Sequence, residues 1–284
     1  MIGINAGFQG DARMDSGNEA EGYMEGTEEV THTQDHSPSK RGFLQGLVAM
    51  ATSFGVMAGA RAGLPGARGF QPERRPGMEG KRFAMLIDMR KCIGCQACTV
   101  SCSVENLPPV GQFRTTVLQY EVDKPDGSAP AMVSLPRLCN HCDNPPCVPV
   151  CPVQATFQRT DGIVLVDSER CVGCGYCVQA CPYDARFINR ETQTADKCTF
   201  CEHRLEAGLL PACVESCVGG ARVIGDLNDP DSEINRRMAE HRDDIKVLKP
   251  DMATAPHVFY IGLPDEFVDG VDGQATVRLV ADHL

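Results

Sequence analysis

Sixteen cysteines lie between Cys92 and Cys217, and none lies elsewhere in the 284 residues. They read as four groups of four: Cys92, Cys95, Cys98 and Cys102; Cys139, Cys142, Cys147 and Cys151; Cys171, Cys174, Cys177 and Cys181; and Cys198, Cys201, Cys213 and Cys217. The first and third groups have the spacing C-x2-C-x2-C-x3-C. The second is C-x2-C-x4-C-x3-C, and in the fourth eleven residues separate Cys201 from Cys213. Zinc favours two separated pairs around one tetrahedral ion. The fourth group alone could be such a site, whereas the first and third overcrowd a single zinc. Disulfides would suit an exported chain of this cysteine content, but they leave the tight spacing unexplained.

A [4Fe-4S] cubane accounts for that spacing. Three closely spaced thiolates in one tight loop reach three iron corners, and the fourth cysteine, a helical turn further on, ligates the other cluster of a pair. Gly94, Gly173 and Gly175 stand inside these loops, where backbone must pass close to the inorganic core. Pro152 and Pro182 follow the last cysteines of their groups, as in bacterial ferredoxins, while Cys102 and Cys217 lack that proline. The crossover rule then pairs the groups into two modules. Cys139, Cys142, Cys147 and Cys181 bind one cluster, and Cys151, Cys171, Cys174 and Cys177 another. Nested around them, Cys92, Cys95, Cys98 and Cys217 bind a third, and Cys102, Cys198, Cys201 and Cys213 a fourth. The expected cofactors are therefore four [4Fe-4S] clusters.

The fold class expected is α+β, with tandem, nested ferredoxin-like modules of short strands and helices. Residues 83–88 and 162–167 read as strands entering cysteine loops, so that strand, loop and short helix repeat. Residues 113–122 are rich in β-formers, with Asp126-Gly127 as a turn. Asn228 to Asp231 reads as a helix start before a charged helix over 232–243, and residues 257–261 as a buried strand. The four-cluster domain spans 81–225, with modules at about 81–111, 130–161 and 162–191 and the last ligands supplied by 194–220; a C-terminal extension covers 226–284. Residues 264–284 carry no interpretable motif.

Residues 1–36 are polar and acidic without a period and read as a disordered leader. Residues 37–62 read as an export signal: Lys40-Arg41 precedes Phe43-Leu44 and an apolar Gly/Ala-rich run, with Ala58-Gly59-Ala60 or Ala60-Arg61-Ala62 as small-residue cleavage sites. The basic pair resembles the twin-arginine signal, with Lys40 in place of the first arginine. An uncleaved amphipathic anchor is the alternative. Export of a folded, cofactor-loaded chain reconciles sixteen reduced cysteines with a periplasmic address.

Composition removes several function classes. The formal charge of -11 becomes more negative with anionic clusters bound, which argues against a nucleic-acid partner; it suits a redox partner or simply solubility. Trp is absent and aromatics make up 6%, as a core built around inorganic clusters would allow. No Ser/His/Asp set, phosphate loop or dinucleotide fingerprint is present, so the chain alone is not expected to be an enzyme. His141 is either a donor to a cluster sulfur, a group near a quinol or a loop cap. Lys91, Arg114 and Lys197 either tune cluster potentials or form ordinary surface pairs.

These residues resemble the iron–sulfur (B) subunits of molybdopterin oxidoreductases, and most closely those of tetrathionate reductases. The resemblance runs through residues 90–102, LCNHCDNPPCVPVCPVQATFQR (138–159), CVGCGYCVQACPYDARFIN (171–189), 194–222 and 247–263. It implies an electron-transfer subunit that passes electrons from a quinol-oxidising membrane subunit to a molybdopterin catalytic subunit. That partner would cleave tetrathionate to thiosulfate in anaerobic respiration. The alternative is the iron–sulfur subunit of another periplasmic reductase, of polysulfide, thiosulfate or nitrite-linked type. The resemblance further implies that the set ending in Cys217 faces the molybdenum side and the set containing Cys174 faces the membrane.

Overall fold

The structure, a computed structural model, describes residues 72–123, 129–269 and 277–279. The leader 1–36, the signal segment 37–62, the turn at Asp126-Gly127 and most of the tail beyond 269 lie outside the described residues. The apolar run FAMLID forms strand β1 (Phe83–Asp88), buried at all six positions. A 3-10 turn at Met89–Lys91 follows, with the Asp88 side chain accepting from the Arg90 amide. After the first cysteine loop come helix α1 (Ala97–Asn106) and strands β2 (Thr115–Val122) and β3 (Ala131–Leu138). The second loop leads to strands β4 (Thr156–Gln158) and β5 (Val164–Val166), and the third to helix α2 (Tyr176–Gln179) and strands β6 (Arg186–Ile188) and β7 (Ala195–Lys197). Helices α3 (Glu202–Glu206) and α4 (Ala212–Glu215) carry the fourth group into strand β8 (Arg222–Asp226). Helix α5 (Glu233–Glu240), strands β9 (Ile245–Lys246) and β10 (Val258–Ile261), helix α6 (Glu266–Asp269) and strand β11 (Val277–Leu279) complete the chain.

Three of these strands form the spine. The largest sheet has the order β8-β1-β10-β9; β1 runs parallel to β10, with Met85 opposite Val258, and antiparallel to β8, with Met85 opposite Ile224. A second sheet, β11-β2-β3, is antiparallel. Pro136 lies in β3, an edge strand, where its missing N–H takes no ladder bond away. Its carbonyl accepts a 3.0 Å bond from the Tyr260 hydroxyl of β10, which ties the two sheets together. The hairpins β4-β5 and β6-β7 are two-stranded.

The described part of 226–284 is woven into this frame: β10 pairs with β1, and β11 with β2. The expected strand at 257–261 forms as β10. The helix expected over 232–243 runs Glu233–Glu240 and passes into a 3-10 turn at Arg242–Asp244. Its cap is Ser232, whose Oγ accepts from the Asn235 amide at 3.4 Å, so the helix begins at Glu233, one residue later than the expected 232.

Strand β1 divides the core. Ala84 and Leu86 pack with Val223, Ile234 and Ile261 on one side, while Met85 and Ile87 face the side that holds Cys98, Cys139, Cys142, Cys198 and Cys213. Each fully buried Leu or Ile there contributes roughly 1.5–3 kcal/mol of burial. Helix α1 buries only Cys98 and Cys102 and exposes Val100 and Val104. Its inward face is therefore made of thiols rather than hydrocarbon. Among the described residues, no helix is long and apolar enough to cross a membrane.

Candidate iron–sulfur centres

Each cysteine loop closes through backbone geometry that only some residues tolerate. Gly94 and Gly173 occupy equivalent places, two residues after Cys92 and Cys171, with φ of +69° and +67°. A Cβ on Gly173 would sit 2.2 Å from the Gln193 carbonyl oxygen, and one on Gly94 would sit 2.7 Å from Ser134 Oγ. After the last cysteine of three groups, a second turn recurs in which the residue three places on is left-handed: Gln154, Asp184 and Gly220. The next residue is alanine each time, and a strand follows. This turn aims the alanine amide back at sulfur, with Ala155 N 3.2 Å from Cys151 Sγ and Ala221 N 3.3 Å from Cys217 Sγ.

Cys102 has no such turn because α1 continues through it. Asn106, also four residues on, takes the role with its side chain: Nδ2 donates to Cys102 Sγ at 3.5 Å and reaches Cys201 Sγ at 3.7 Å. Further amides point at Cys171, from Ala195 at 3.3 Å, and at Cys198, from Phe200 at 3.4 Å. Such N–H···S bonds stabilise negative sulfur and are one of the levers on cluster potential.

The cysteines gather across the sequence. Cys92, Cys95, Cys98 and Cys217 line one cavity. Cys139, Cys142, Cys147 and Cys181 line another. Cys102 and Cys201 share the Asn106 amide, and the thiol charges of Cys213 and Cys201 act on Cys102. Cys171 and Cys177 pack in one cluster with Val164 and Ala195. The Asp167 amide bonds the Ala155 carbonyl, and the Cys171 amide bonds the Asp167 carbonyl, so the Cys151 turn is carried to the third loop; Cys174 is exposed beside it.

Burial pushes the Cys102 thiol up to about 12 and the Cys147 thiol up to about 11. Burial also raises Cys151, but the amides of Thr156, Ala155 and Val153 outweigh it and leave its pKa below the ordinary thiol value. Among the described residues, no three His, Cys, Asp or Glu are placed to hold one metal ion. A single tetrahedral zinc would draw four sulfurs to within about 4 Å of one another, given Zn–S of about 2.3 Å. Cysteines spread around cavities fit a polynuclear cluster instead.

Buried cations lie among the thiols. Lys197 is 1% exposed and donates to the carbonyl of Val164 and, at 2.8 Å, to that of Cys198. It lies in the field of Cys139, Cys198 and Cys147, between the two expected modules. Arg114 pairs with Asp196 at 2.9 Å and steadies Asn106 Oδ1 at 2.9 Å. Lys91 is exposed at the rim of the first cavity. His141 is fully buried in a left-handed conformation; it stacks on Phe200 at 3.8 Å, and its Nδ1 accepts the Val164 amide at 3.0 Å. Its Nδ1 thus ties the second cysteine loop to β5, while Nε2 is buried without a hydrogen-bond partner among the described residues. Arg186, Arg222 and Asn106 are the residues that sequence reasoning missed; the repeated Cys-x3-Ala followed by Arg at 186 and 222 was the available signal.

Comparison with known proteins agrees with this geometry. Models of a 4Fe-4S dicluster domain match residues 91–155 and 130–227. The chain is 65% identical over 241 residues to the tetrathionate reductase B subunit of Salmonella typhimurium, across 85% of this chain and 95% of that protein. It is 45% identical over 192 residues to the tetrathionate reductase B subunit of Archaeoglobus fulgidus, covering 67% of this chain and 87% of that one. A putative dimethyl sulfoxide reductase iron–sulfur B subunit of Halobacterium salinarum is 42% identical over 207 residues, covering 63% and 78%. With its cysteine-lined cavities and two dicluster ferredoxin-like domains, the chain belongs to the family of tetrathionate reductase iron–sulfur B subunits.

Proposed function

We propose that this chain holds four [4Fe-4S] clusters in a row and conducts electrons from a quinol-oxidising membrane subunit to a molybdopterin catalytic subunit that reduces tetrathionate to thiosulfate. The observation that carries the reading is the gradient of burial along the proposed sets. Cys95 of the first set and Cys174 of the last are exposed, whereas Cys102, Cys198, Cys201 and Cys213, and Cys139, Cys142 and Cys147, are buried. A conduit needs two accessible ends and a dry interior, and this distribution supplies both.

When bound, each cluster supplies a one-electron carrier. The protein's residues perform the remaining tasks. Cys92, Cys95, Cys98 and Cys217 hold the first set, Cys102, Cys198, Cys201 and Cys213 the second, Cys139, Cys142, Cys147 and Cys181 the third, and Cys151, Cys171, Cys174 and Cys177 the fourth. The amides of Ala155, Ala195 and Ala221 and the side chain of Asn106 orient on sulfur. Apolar packing of Met85, Ile87, Phe200 and Tyr260 excludes water. The similarity to tetrathionate reductase B subunits supports the choice of partner. The basic pair at Lys40-Arg41 supports export by the twin-arginine route to the periplasm, with 37–62 as the signal and 81–225 as the cluster domain.

The test is the iron and acid-labile sulfide content of anaerobically purified protein, with EPR of the reduced sample. About sixteen of each, with magnetically coupled signals, is expected from four cubanes. Zinc in place of iron overturns the reading. Co-purification with a catalytic subunit that reduces dimethyl sulfoxide or polysulfide and leaves tetrathionate untouched overturns the substrate alone.

A further inference from the structure

Two buried arginines occupy the same place in the two modules. Arg186 and Arg222 each stand five residues after the last cysteine of a group, Cys181 and Cys217, and each opens a strand, β6 or β8. They are 4% and 3% exposed. Each guanidinium is held by one threonine hydroxyl that opens a strand of another sheet, β4 or β2: Arg186 Nη1 donates to Thr156 Oγ1 at 3.3 Å, and Arg222 Nη2 donates to Thr115 Oγ1 at 3.0 Å. In each case the other terminal nitrogen, Nη2 of Arg186 and Nη1 of Arg222, is buried without a partner among the described residues. Both side chains line the cysteine cavities, Arg222 that of Cys92, Cys95, Cys98 and Cys217, and Arg186 that of Cys139, Cys142, Cys147 and Cys181.

A buried guanidinium without a counter-charge costs several kcal/mol, and neither arginine pairs with a carboxylate among the described residues. The groups whose charge acts on them are sulfurs from both sets of a module: Cys147, Cys139, Cys177 and Cys181 on Arg186, and Cys213, Cys98 and Cys198 on Arg222. Tyr260 also acts on Arg222, but burial holds its hydroxyl in the neutral form; the anionic groups left to compensate the two cations are sulfurs.

We propose that Arg186 and Arg222 are a duplicated positioning device, one per module. Each directs its unpaired N–H at cluster or thiolate sulfur and so favours the reduced state of the clusters on either side of it. This rests on the four-cluster reading. A fixed positive charge and an N–H···S bond both stabilise the more negative, reduced form. The threonine sets the direction of the fork: Thr115 Oγ1 itself donates to the Arg137 carbonyl at 2.8 Å, which leaves its lone pair facing the guanidinium.

The experiment compares the full chain with Arg222→Met, Arg222→Lys and Thr115→Val, and with Arg186→Met, Arg186→Lys and Thr156→Val. It measures iron and sulfide per chain and then follows an EPR-monitored redox titration. The Met variants are expected to keep their iron while one component becomes harder to reduce. At its former midpoint the ratio of reduced to oxidised should fall about tenfold, which is about 59 mV for a one-electron couple. Lys should recover most of the shift, and Thr→Val should give a smaller shift of the same sign. Unchanged potentials in fully loaded Met variants overturn the proposal, as do equal shifts in Met and Lys. If the Met variants fail to load, Thr→Val decides, and an unchanged potential there overturns it. Low iron in the unsubstituted chain would instead sink the cluster reading, so the two failures are distinguishable.

Discussion

His257 donates from Nδ1 to the carbonyl oxygen of His141 at 2.6 Å, and this bond fastens the start of β10 to the second cysteine loop. On its other side, Nε2 accepts from Arg82 Nε at 3.2 Å, and Arg82 in turn pairs with Asp143 at 2.9 Å. The ring is therefore used as a neutral donor–acceptor between a carbonyl and a cation.

Protonation of His257 would set a second positive charge against Arg82. Burial and the Arg82 charge hold its pKa below the ordinary 6.5, against the pull of the His141 carbonyl and Asp143. The unfolded chain then binds a proton that the folded chain refuses, so stability is lost as pH falls through 6.5. His257→Gln is expected to flatten the fall in thermal stability of the loaded protein between pH 7.5 and 5.5, by up to about 1.4 kcal/mol per pH unit. Parallel curves for variant and parent would refute this.

Asn106 supplies Cys102 and Cys201 with the N–H that a backbone amide gives the last cysteines of other groups. Asn106→Leu removes the donor at similar volume and leaves Arg114 without that acceptor. One component of the redox titration is expected to shift severalfold toward the oxidised state with iron content unchanged, and Asn106→Asp should shift it further by adding negative charge. Identical titrations for all three proteins would show that the contact has no electronic role.

Gly173 and Gly80 separate strain from collision. Both have positive φ, +67° and +70°, but a Cβ at Gly80 meets nothing within 4 Å, whereas at Gly173 it strikes the Gln193 carbonyl. Gly80→Ala is expected to cost about 1–2 kcal/mol from the left-handed backbone alone. Gly173→Ala must also open the third cysteine loop, and is expected to lose iron as well as more stability. Thermal unfolding and iron content measured on the two variants decide it; equal losses would mean that the loop yields freely.

The cysteine grouping and the short strands before the loops were legible because both are local: the ligands of a group recur at short, repeated spacings along the chain, and an apolar run such as 83–88 announces its own burial. The parallel pairing of β1 with β10 was not legible, since its partners, Met85 and Val258, are far apart in sequence and nothing local marks the register. The tail looked motif-free for the same reason, because α6 and β11 acquire meaning only against the rest of the fold. Arg186 and Arg222 read locally as ordinary strand-opening arginines. Their burial appears only once the cysteine groups have folded around them, although the recurrence of Cys-x3-Ala before each was there to be noticed.

The exposed ends of the proposed row make opposite predictions for the two proposed partners. Ile93 is 70% exposed and Val218 77% exposed, each next to a ligand of the first set, while Val172 is 64% and Tyr176 56% exposed in the loop of Cys171, Cys174 and Cys177. Isolated apolar residues at a surface are ordinary, but these flank the exposed Cys95 and Cys174, where electrons must enter and leave if the proposed row is right. Ile93→Asp is expected to weaken coupling to the catalytic subunit and Val172→Asp coupling to the membrane subunit, each without moving a cluster potential. In the assembled complex, the first should slow reoxidation of the chain by tetrathionate and leave its reduction by quinol unchanged; the second should do the reverse. A uniform slowing of both half-reactions by either variant would mean that these residues do not mark separate docking faces. A swap of the two effects would keep the row and reverse its direction relative to the partners.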